Sequence, residues 1–267
     1  MNPMLNIAIR AARRAGNIIA KGYERRDEIE TTAKGENDFV TNFDKASEAA
    51  IIEIIKTSYP DHSIITEESG VLEGENSDIQ WIIDPLDGTT NFVKGLPHFA
   101  VSIAIRVKGR TEVAVVYDPI CNELFSSVRG KGAKINDNRL RVENARELDG
   151  KILATGFPFK KKSLMPTQFA MMNNLSAQCA DFRRTGSAAL DLCYTAANRV
   201  DGYFEMGIKA WDIAAGDLIV REAGGLVCDF NGDHNYLTQG HVVAAAPRLV
   251  KGILNHIQPC LAKDFKA

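Results

Sequence analysis

No stretch of the 267 residues approaches the roughly 18 consecutive apolar residues of a membrane span. Cysteine is scarce. The five present (Cys121, Cys179, Cys193, Cys228, Cys260) are odd in number, widely spread and form no C-x-x-C, so neither a disulfide framework nor a zinc ribbon fits. A reducing cytoplasm is the expected compartment. Net charge is nearly absent too: 32 basic against 34 acidic side chains leave −2, and no global field points to nucleic acid or a membrane surface. Internal repeats, low-complexity tracts and a Pro/Gly/Ser linker are also missing, which removes solenoids and loosely tethered domains. Residues 1–23 lack serine, so Arg10, Arg13, Arg14 and Lys21, although no acid accompanies them, do not read as a transit peptide.

What is present is an ordinary globular composition, 45% hydrophobic and 25% charged, in a chain long enough for one or two domains. Met4, Ile7, Ala8, Ala11, Ala15, Ile18 and Ile19 recur at helical spacing and predict an amphipathic opening helix. Residues 34–43 read as a loop and short strand. Asp44 stands where an N-cap would precede the apolar pattern Ala49, Ile51, Ile52, Ile54, Ile55, predicting a helix over 44–57. Apolar runs at 63–66 and 79–83 each stop at acids, Glu67 and Glu68 after the first, Asp84 and Asp87 after the second. Residues 99–107, 111–117 and 123–128 predict an antiparallel meander. Past about residue 145 strands and helices alternate: a strand at 152–155, a helix near 166–178, a strand at 179–182, and helices near 187–198 and 213–223. Gly224-Gly225 stops the last of these. The expected class is α/β (α+β in the first part), with halves 1–145 and 146–267 packed as one unit and a tail, 258–267, outside the core.

The densest chemistry lies in Trp81-Ile82-Ile83-Asp84-Pro85-Leu86-Asp87-Gly88-Thr89-Thr90-Asn91-Phe92. An apolar strand delivers Asp84, Pro85 fixes the exit, and Asp87-Gly88 turns the chain into a helix start at Thr89. Two adjacent carboxylates repel, and one is pushed to protonate, so a hard divalent cation with oxygen ligands is their natural partner. The N–H groups of Gly88 and Thr89 at the helix start suit an anion such as phosphate. A polar turn alone would also explain this segment. Glu67-Glu68, at another strand end, adds acids from a separate segment, as a two-metal site requires. Asp212 and Asp44 read equally well as helix N-caps, and become chemical only if the fold brings those helix starts to the other acids.

Three separated motifs, Glu67-Glu68-Ser69-Gly70, the 81–92 segment, and Ala210-Trp211-Asp212 through Glu222-Ala223-Gly224-Gly225, resemble in order the signature segments of the inositol monophosphatase family. Arg183-Arg184-Thr185-Gly186-Ser187-Ala188-Ala189 falls within the resemblance, which runs from the first helix to about residue 248. It implies a layered α/β/α/β/α sandwich shared with fructose-1,6-bisphosphatases. It also implies a Mg²⁺-dependent, Li⁺-sensitive phosphomonoesterase using two or three ions. By the same resemblance Glu67, Asp84, the Leu86 carbonyl, Asp87 and Asp212 are the metal ligands. Gly88 and Thr89 meet the phosphate beside Glu67, Leu86 and Asp87. Gly186, Ser187, Ala188, Glu205 and Asp212 hold the inositol, and Arg183 adds a substrate or interface contact.

The expected reaction is hydrolysis of myo-inositol 1-phosphate or a similar polyol phosphate by direct attack of metal-activated water. Glu67, assisted by Thr89 and Asp44, would orient that water and take its proton. No C-x₅-R cradle is present, and the acids of 84–87 lack the downstream Lys of an aspartyl-phosphate enzyme. Two other readings stand beside this one. Bacterial members of the family imply a partner of the transcription machinery during ribosomal RNA synthesis, with catalysis secondary. Arg10/Arg14, Lys160-Lys161-Lys162 and Arg183-Arg184 are candidate surfaces for it. The other keeps phosphatase chemistry on fructose 1,6-bisphosphate or a nucleotide 3′-phosphate, against which the acid Glu205 argues. A homodimer is implied, and no direct nucleic-acid site is read.

Overall fold

The computed structural model describes residues 2–35 and 38–261. Helix α1 (Pro3–Glu24) starts with the Asn2 side chain accepting from the Met4 and Leu5 N–H groups, and buries Ala8, Ala11, Ala12, Ala15 and Ile19 as one stripe. Gly16 belongs to that stripe because a Cβ there would sit 2.5 Å from the Tyr117 ring. A hairpin, β1 (Thr31–Gly35) and β2 (Asp38–Thr41), leads into α2 (Asn42–Ser58). The N-cap of α2 is Thr41 and not Asp44. The Thr41 hydroxyl accepts from the Phe43 and Asp44 N–H groups, while the Asp44 carboxylate accepts the Thr41 N–H at 2.8 Å, a reciprocal capping box.

Eight strands then form the first sheet: β3 (His62–Thr66), β4 (Gly70–Leu72), β5 (Asn76–Asp87), β6 (Ala100–Val107), β7 (Arg110–Asp118), β8 (Glu123–Val128), β9 (Ala133–Ile135) and β10 (Asn138–Arg139). Their order is β10-β9-β8-β7-β6-β5-β3-β4, antiparallel except where β3 runs beside β5. The expected meander is its β6-β7-β8 core. Strand β5 does not end at Ile83 as the sequence suggests. It continues through Pro85 to Asp87, pairing Asp84 with Ser102 and Asp87 with Ala100 across a register shift, a bulge that accommodates a proline lacking a ladder donor. A short helix, α3 (Thr89–Lys94), follows.

The second sheet takes β11 (Ile152–Thr155), β12 (Asp181–Arg183), β13 (Gly202–Met206), β14 (Leu226–Cys228) and β15 (His241–Ala245) in the order β12-β11-β13-β15-β14. Helices α4 (Met165–Ser176), α5 (Ala188–Ala196), α6 (Ala210–Glu222), α7 (Tyr236–Gln239) and α8 (Pro247–Ile257) complete the chain. Helices α1 and α2 cover one face of the first sheet. Helices α5 and α6 fill the space between the sheets, in a core that joins Ile82, Ala104 and Val116 to Leu192, Leu218, Tyr203 and Val242. Helices α4 and α8 back the second sheet through Met171, Leu175, Leu249 and Ile253. The result is the α/β/α/β/α layering. Helix α6 begins at Ala210, so Asp212 is its third residue, where the side chain accepts the Lys209 N–H at 2.6 Å; it is not the N-cap. The expected tail outside the core, 258–267, is not borne out over its first residues: Gln258 donates to the Phe230 carbonyl at 3.0 Å and Leu261 is buried, while 262–267 lie outside the described residues. No described helix is long and apolar enough to cross a membrane.

Candidate active site

The bulge in β5 shapes the site. Asp84 Oδ1 accepts the Leu86 N–H at 2.9 Å, which turns the chain tightly around Pro85. Asp87 Oδ2 reaches across to the start of α5, accepting the Ser187 hydroxyl at 2.6 Å and the Ala189 N–H at 2.8 Å. Asp212 arrives on the first turn of α6. One oxygen each from Asp84, Asp87 and Asp212 lie within 4.8 Å of one another. Glu67 follows the end of the neighbouring strand β3, its N–H donating to the Ile83 carbonyl at 3.3 Å.

These acids perturb each other. Burial first, then Glu67, Asp87 and Asp212, hold Asp84 well above the ordinary carboxylate range. Asp212 is held well above it by burial and then by Asp87 and Glu67. Burial pushes Asp87 up to about 6 despite its hydrogen bonds from Ser187 and Ala189. A folded acid held above its unfolded value binds extra protons, so folding weakens as pH rises. For Asp87 the interval runs from 3.8 to about 6. In the presence of a chelator, the melting temperature is therefore expected to fall across that interval. Adding Mg²⁺ near neutral pH should raise it again, and binding below pH 6 should release protons measurable by calorimetry in buffers of different ionisation enthalpy. A cation-free melting temperature flat over this range would contradict the acidic cluster.

A cleft of about 180 Å³ opens over the cluster and gathers Glu67, Asp84, Leu86, Asp87, Gly88, Thr89, Gly186, Ser187, Ala188, Glu205 and Asp212 in its wall. Among the described residues its lining offers oxygen and nitrogen groups but no thiol or imidazole. Carboxylates and a backbone carbonyl are the donor set of a hard cation, so the residues fit Mg²⁺. Asp44 stands behind the wall: its Oδ1 lies 3.0 Å from the Thr89 hydroxyl and its Oδ2 accepts the Thr41 hydroxyl at 2.5 Å. Burial raises the Asp44 pKa. Thr89 Oγ1 is also 3.0 Å from the Leu86 carbonyl, and its single proton serves one acceptor at a time. Gly88 caps α3 with φ +96°, and a Cβ there would come within 3.0 Å of the His98 carbonyl, so only glycine suits the position.

Arg183 is not brought to the cleft. Its guanidinium pairs with Asp181 at 2.5 Å on the exposed edge strand β12, while the next residue, Arg184, lines the cleft, as neighbours leaving a strand face opposite ways. Lys160, read from the sequence as part of a candidate partner surface, also lines it, with Nζ 3.7 Å from Glu67 Oε1. Glu205 is pushed up to about 7 by burial, against the Tyr203 hydroxyl donating at 2.6 Å and the Arg184 charge. Sequence reasoning missed Asp191, which lines the cleft, accepts the Thr185 hydroxyl at 2.7 Å and is held well above its usual range by burial. It missed Asn91 as well, whose amide donates to the His98 and Thr185 carbonyls at 2.8 and 2.9 Å, tying the two sheets' loops together. Only the position of Asn91 just inside a helix start hinted at a structural duty.

The chain matches the profile of the Inositol monophosphatase family over residues 1–263. It is 80% identical to "Nus factor SuhB" of Pasteurella multocida (strain Pm70), covering 100% of each chain. Among solved structures it is similar to the extragenic suppressor protein suhB from Bartonella henselae, 37% identical with a TM-score of 0.93, covering 96% of this chain and 99% of that one. It is also similar to the inositol monophosphatase from Anabaena (Nostoc) sp. PCC 7120, 35% identical with a TM-score of 0.86, covering 98% and 97%.

Proposed function

Because the chain belongs to the inositol monophosphatase family, we propose that it is a Mg²⁺-dependent phosphomonoesterase releasing inorganic phosphate from myo-inositol 1-phosphate or a similar polyol phosphate. The observation that carries this reading is the set of three mutually repelling acids, their oxygens within 4.8 Å, in the wall of a cleft that also holds Gly88, Thr89 and Glu205. Asp84, Asp87, Asp212, Glu67 and the Leu86 carbonyl would hold the cation. When bound, Mg²⁺ neutralises these acids, acidifies water and offsets charge on phosphoryl and leaving oxygens.

The remaining work belongs to the chain. The Gly88 and Thr89 N–H groups receive the phosphate oxygens. Donation of the Thr89 proton to Asp44 leaves the hydroxyl's lone pairs free to accept from the attacking water, and Glu67 takes that water's proton. Glu205 and Asp212, with Gly186, Ser187 and Ala188, face the alcohol. Near its value of about 7, Glu205 both accepts from and donates to neutral hydroxyls. A second phosphate in that place would meet its charge, so a monophosphate is the expected substrate. A panel of esters assayed with Mg²⁺ checks this: inositol 1-phosphate should be turned over faster than fructose 1,6-bisphosphate or nucleoside 3′-phosphates, with Li⁺ inhibiting. A clear preference for the bisphosphate would overturn the choice.

The name Nus factor on a relative 80% identical favours a second role, as a partner of the transcription machinery in the cytoplasm. Membership of the family makes a homodimer the expected oligomeric state. An Asp84→Asn variant separates the two roles: if it restores growth to a strain lacking the gene, the partner role is primary, and if it does not, catalysis is.

A further inference from the structure

Glu48 lies on α2 one turn beyond Asp44 and is 3% exposed. Its Oε2 accepts the Thr66 hydroxyl at 2.6 Å, the Glu68 N–H at 3.1 Å and the Ser69 N–H at 3.4 Å, and its Oε1 accepts the Ser69 hydroxyl. These donors flank Glu67 on both sides. Buried charge is costly unless hydrogen-bonded, and bonds to a charged acceptor are roughly twice as strong as neutral ones, so the four donors make this a firm latch. Two neighbours on the same face of α2 act alike. Asp44 takes the Thr89 hydroxyl, and the Ser47 hydroxyl donates to the Pro85 carbonyl at 2.8 Å. Positions 44, 47 and 48 are spaced i, i+3, i+4, so a single helical turn reaches the Glu67 turn, the β5 bulge and the start of α3.

We propose that Glu48 is a positioning residue that holds the Glu67 turn against the acids of β5. The need for it follows from the charges. Glu67 disfavours the charged forms of Asp84, Asp87 and Asp212, and it sits in a turn whose Ser69 is exposed, so the turn needs an anchor on its α2 side in addition to the Lys160 contact at 3.7 Å. The latch keeps the ligand in place before the cation arrives, which lowers the ordering cost of binding. The proposal rests on the phosphatase reading, in which Glu67 both ligates and takes a proton.

The test uses the full chain. Mg²⁺ is titrated into folded protein while melting temperature and ester hydrolysis are followed. Glu48→Ala should raise the Mg²⁺ concentration for half the full melting shift by about 10–100-fold. It should also lower kcat by a similar factor with the ester KM unchanged. Glu48→Gln retains one acceptor oxygen for Thr66 and the two backbone N–H groups, and should recover most of both. If Glu48→Ala does not fold, Thr66→Val combined with Ser69→Ala removes two of the donors and should move the Mg²⁺ midpoint in the same direction. A folded variant that melts earlier yet keeps the original midpoint and kcat would overturn the latch. Asp84→Asn run in parallel distinguishes the two failures: if it abolishes the Mg²⁺ response and the Glu48 variants do not move it, only the latch falls. If Asp84→Asn too leaves the response intact, the phosphatase reading falls and the latch with it.

Discussion

Asp84→Asn should reduce Mg²⁺-dependent ester hydrolysis by about 10²–10⁴-fold, the cost of losing one positioned group at a reacting centre. Asparagine keeps the Oδ1 that accepts the Leu86 N–H, so the bulge survives and the loss is one of charge. The same substitution should raise the melting temperature in a chelator at pH 8, because it deletes a carboxyl whose ionisation is disfavoured by burial first and then by Glu67, Asp87 and Asp212. Each 1 kcal/mol gained corresponds to about 2–4 °C in a domain of this order of size. Activity lost with stability gained is the signature of a site held in a strained electrostatic state for its chemistry. Near-normal turnover with the parent's Mg²⁺ optimum would remove Asp84 from the ligand set, and an unchanged chelator melting temperature would remove the repulsion.

Trp81→Ala is expected to be the most damaging of the substitutions considered for folding. Trp81 is fully buried on β5, three residues before Asp84, and packs into the core beneath α1 and α2. Its Nε1–H donates to His62 Nδ1 at 3.0 Å, and His62 is stacked on Tyr59 with centroids 4.6 Å apart. Burial lowers the His62 pKa and keeps the ring neutral, so that this nitrogen can accept. Removing the indole should cost about 3–5 kcal/mol, combining lost burial with an unfilled cavity. Urea unfolding should show a lower midpoint at unchanged slope. A midpoint equal to the parent's would mean that this part of the core does not hold the sheet.

Much of this was legible because local pattern coincided with tertiary role. Acids at the ends of apolar runs announced Glu67, Asp84 and Asp87, and the alternation of 99–128 announced the meander. The misreadings have physical sources. Asp44 resembled an N-cap because the true cap, Thr41, and its partner form a box in which either end could be read as the start. Asp212 was misread because Lys209, the residue preceding α6, has no capping preference. Arg183 and Arg184 differ only in phase, which a three-residue strand does not specify. Helix α8, absent from the expected elements, carries its own signals, Pro247 at its start and Leu249, Val250, Ile253 and Ile257 on one face. Asn91 and Glu48 act on segments far along the chain or across a turn, and nothing in their own neighbourhoods names those partners.

The register shift in β5 also settles a question of parity. Along a regular strand, residues three apart face opposite sides of the sheet, so a D-x-x-D pattern would place one acid toward α6 and the other toward α2. The extra residue between Asp84 and Asp87 cancels one alternation, and both carboxylates meet Asp212 on a common side. The spacing in the motif and the irregularity in the ladder are therefore a single feature: an evenly paired β5 would leave the sheet intact and the cluster divided.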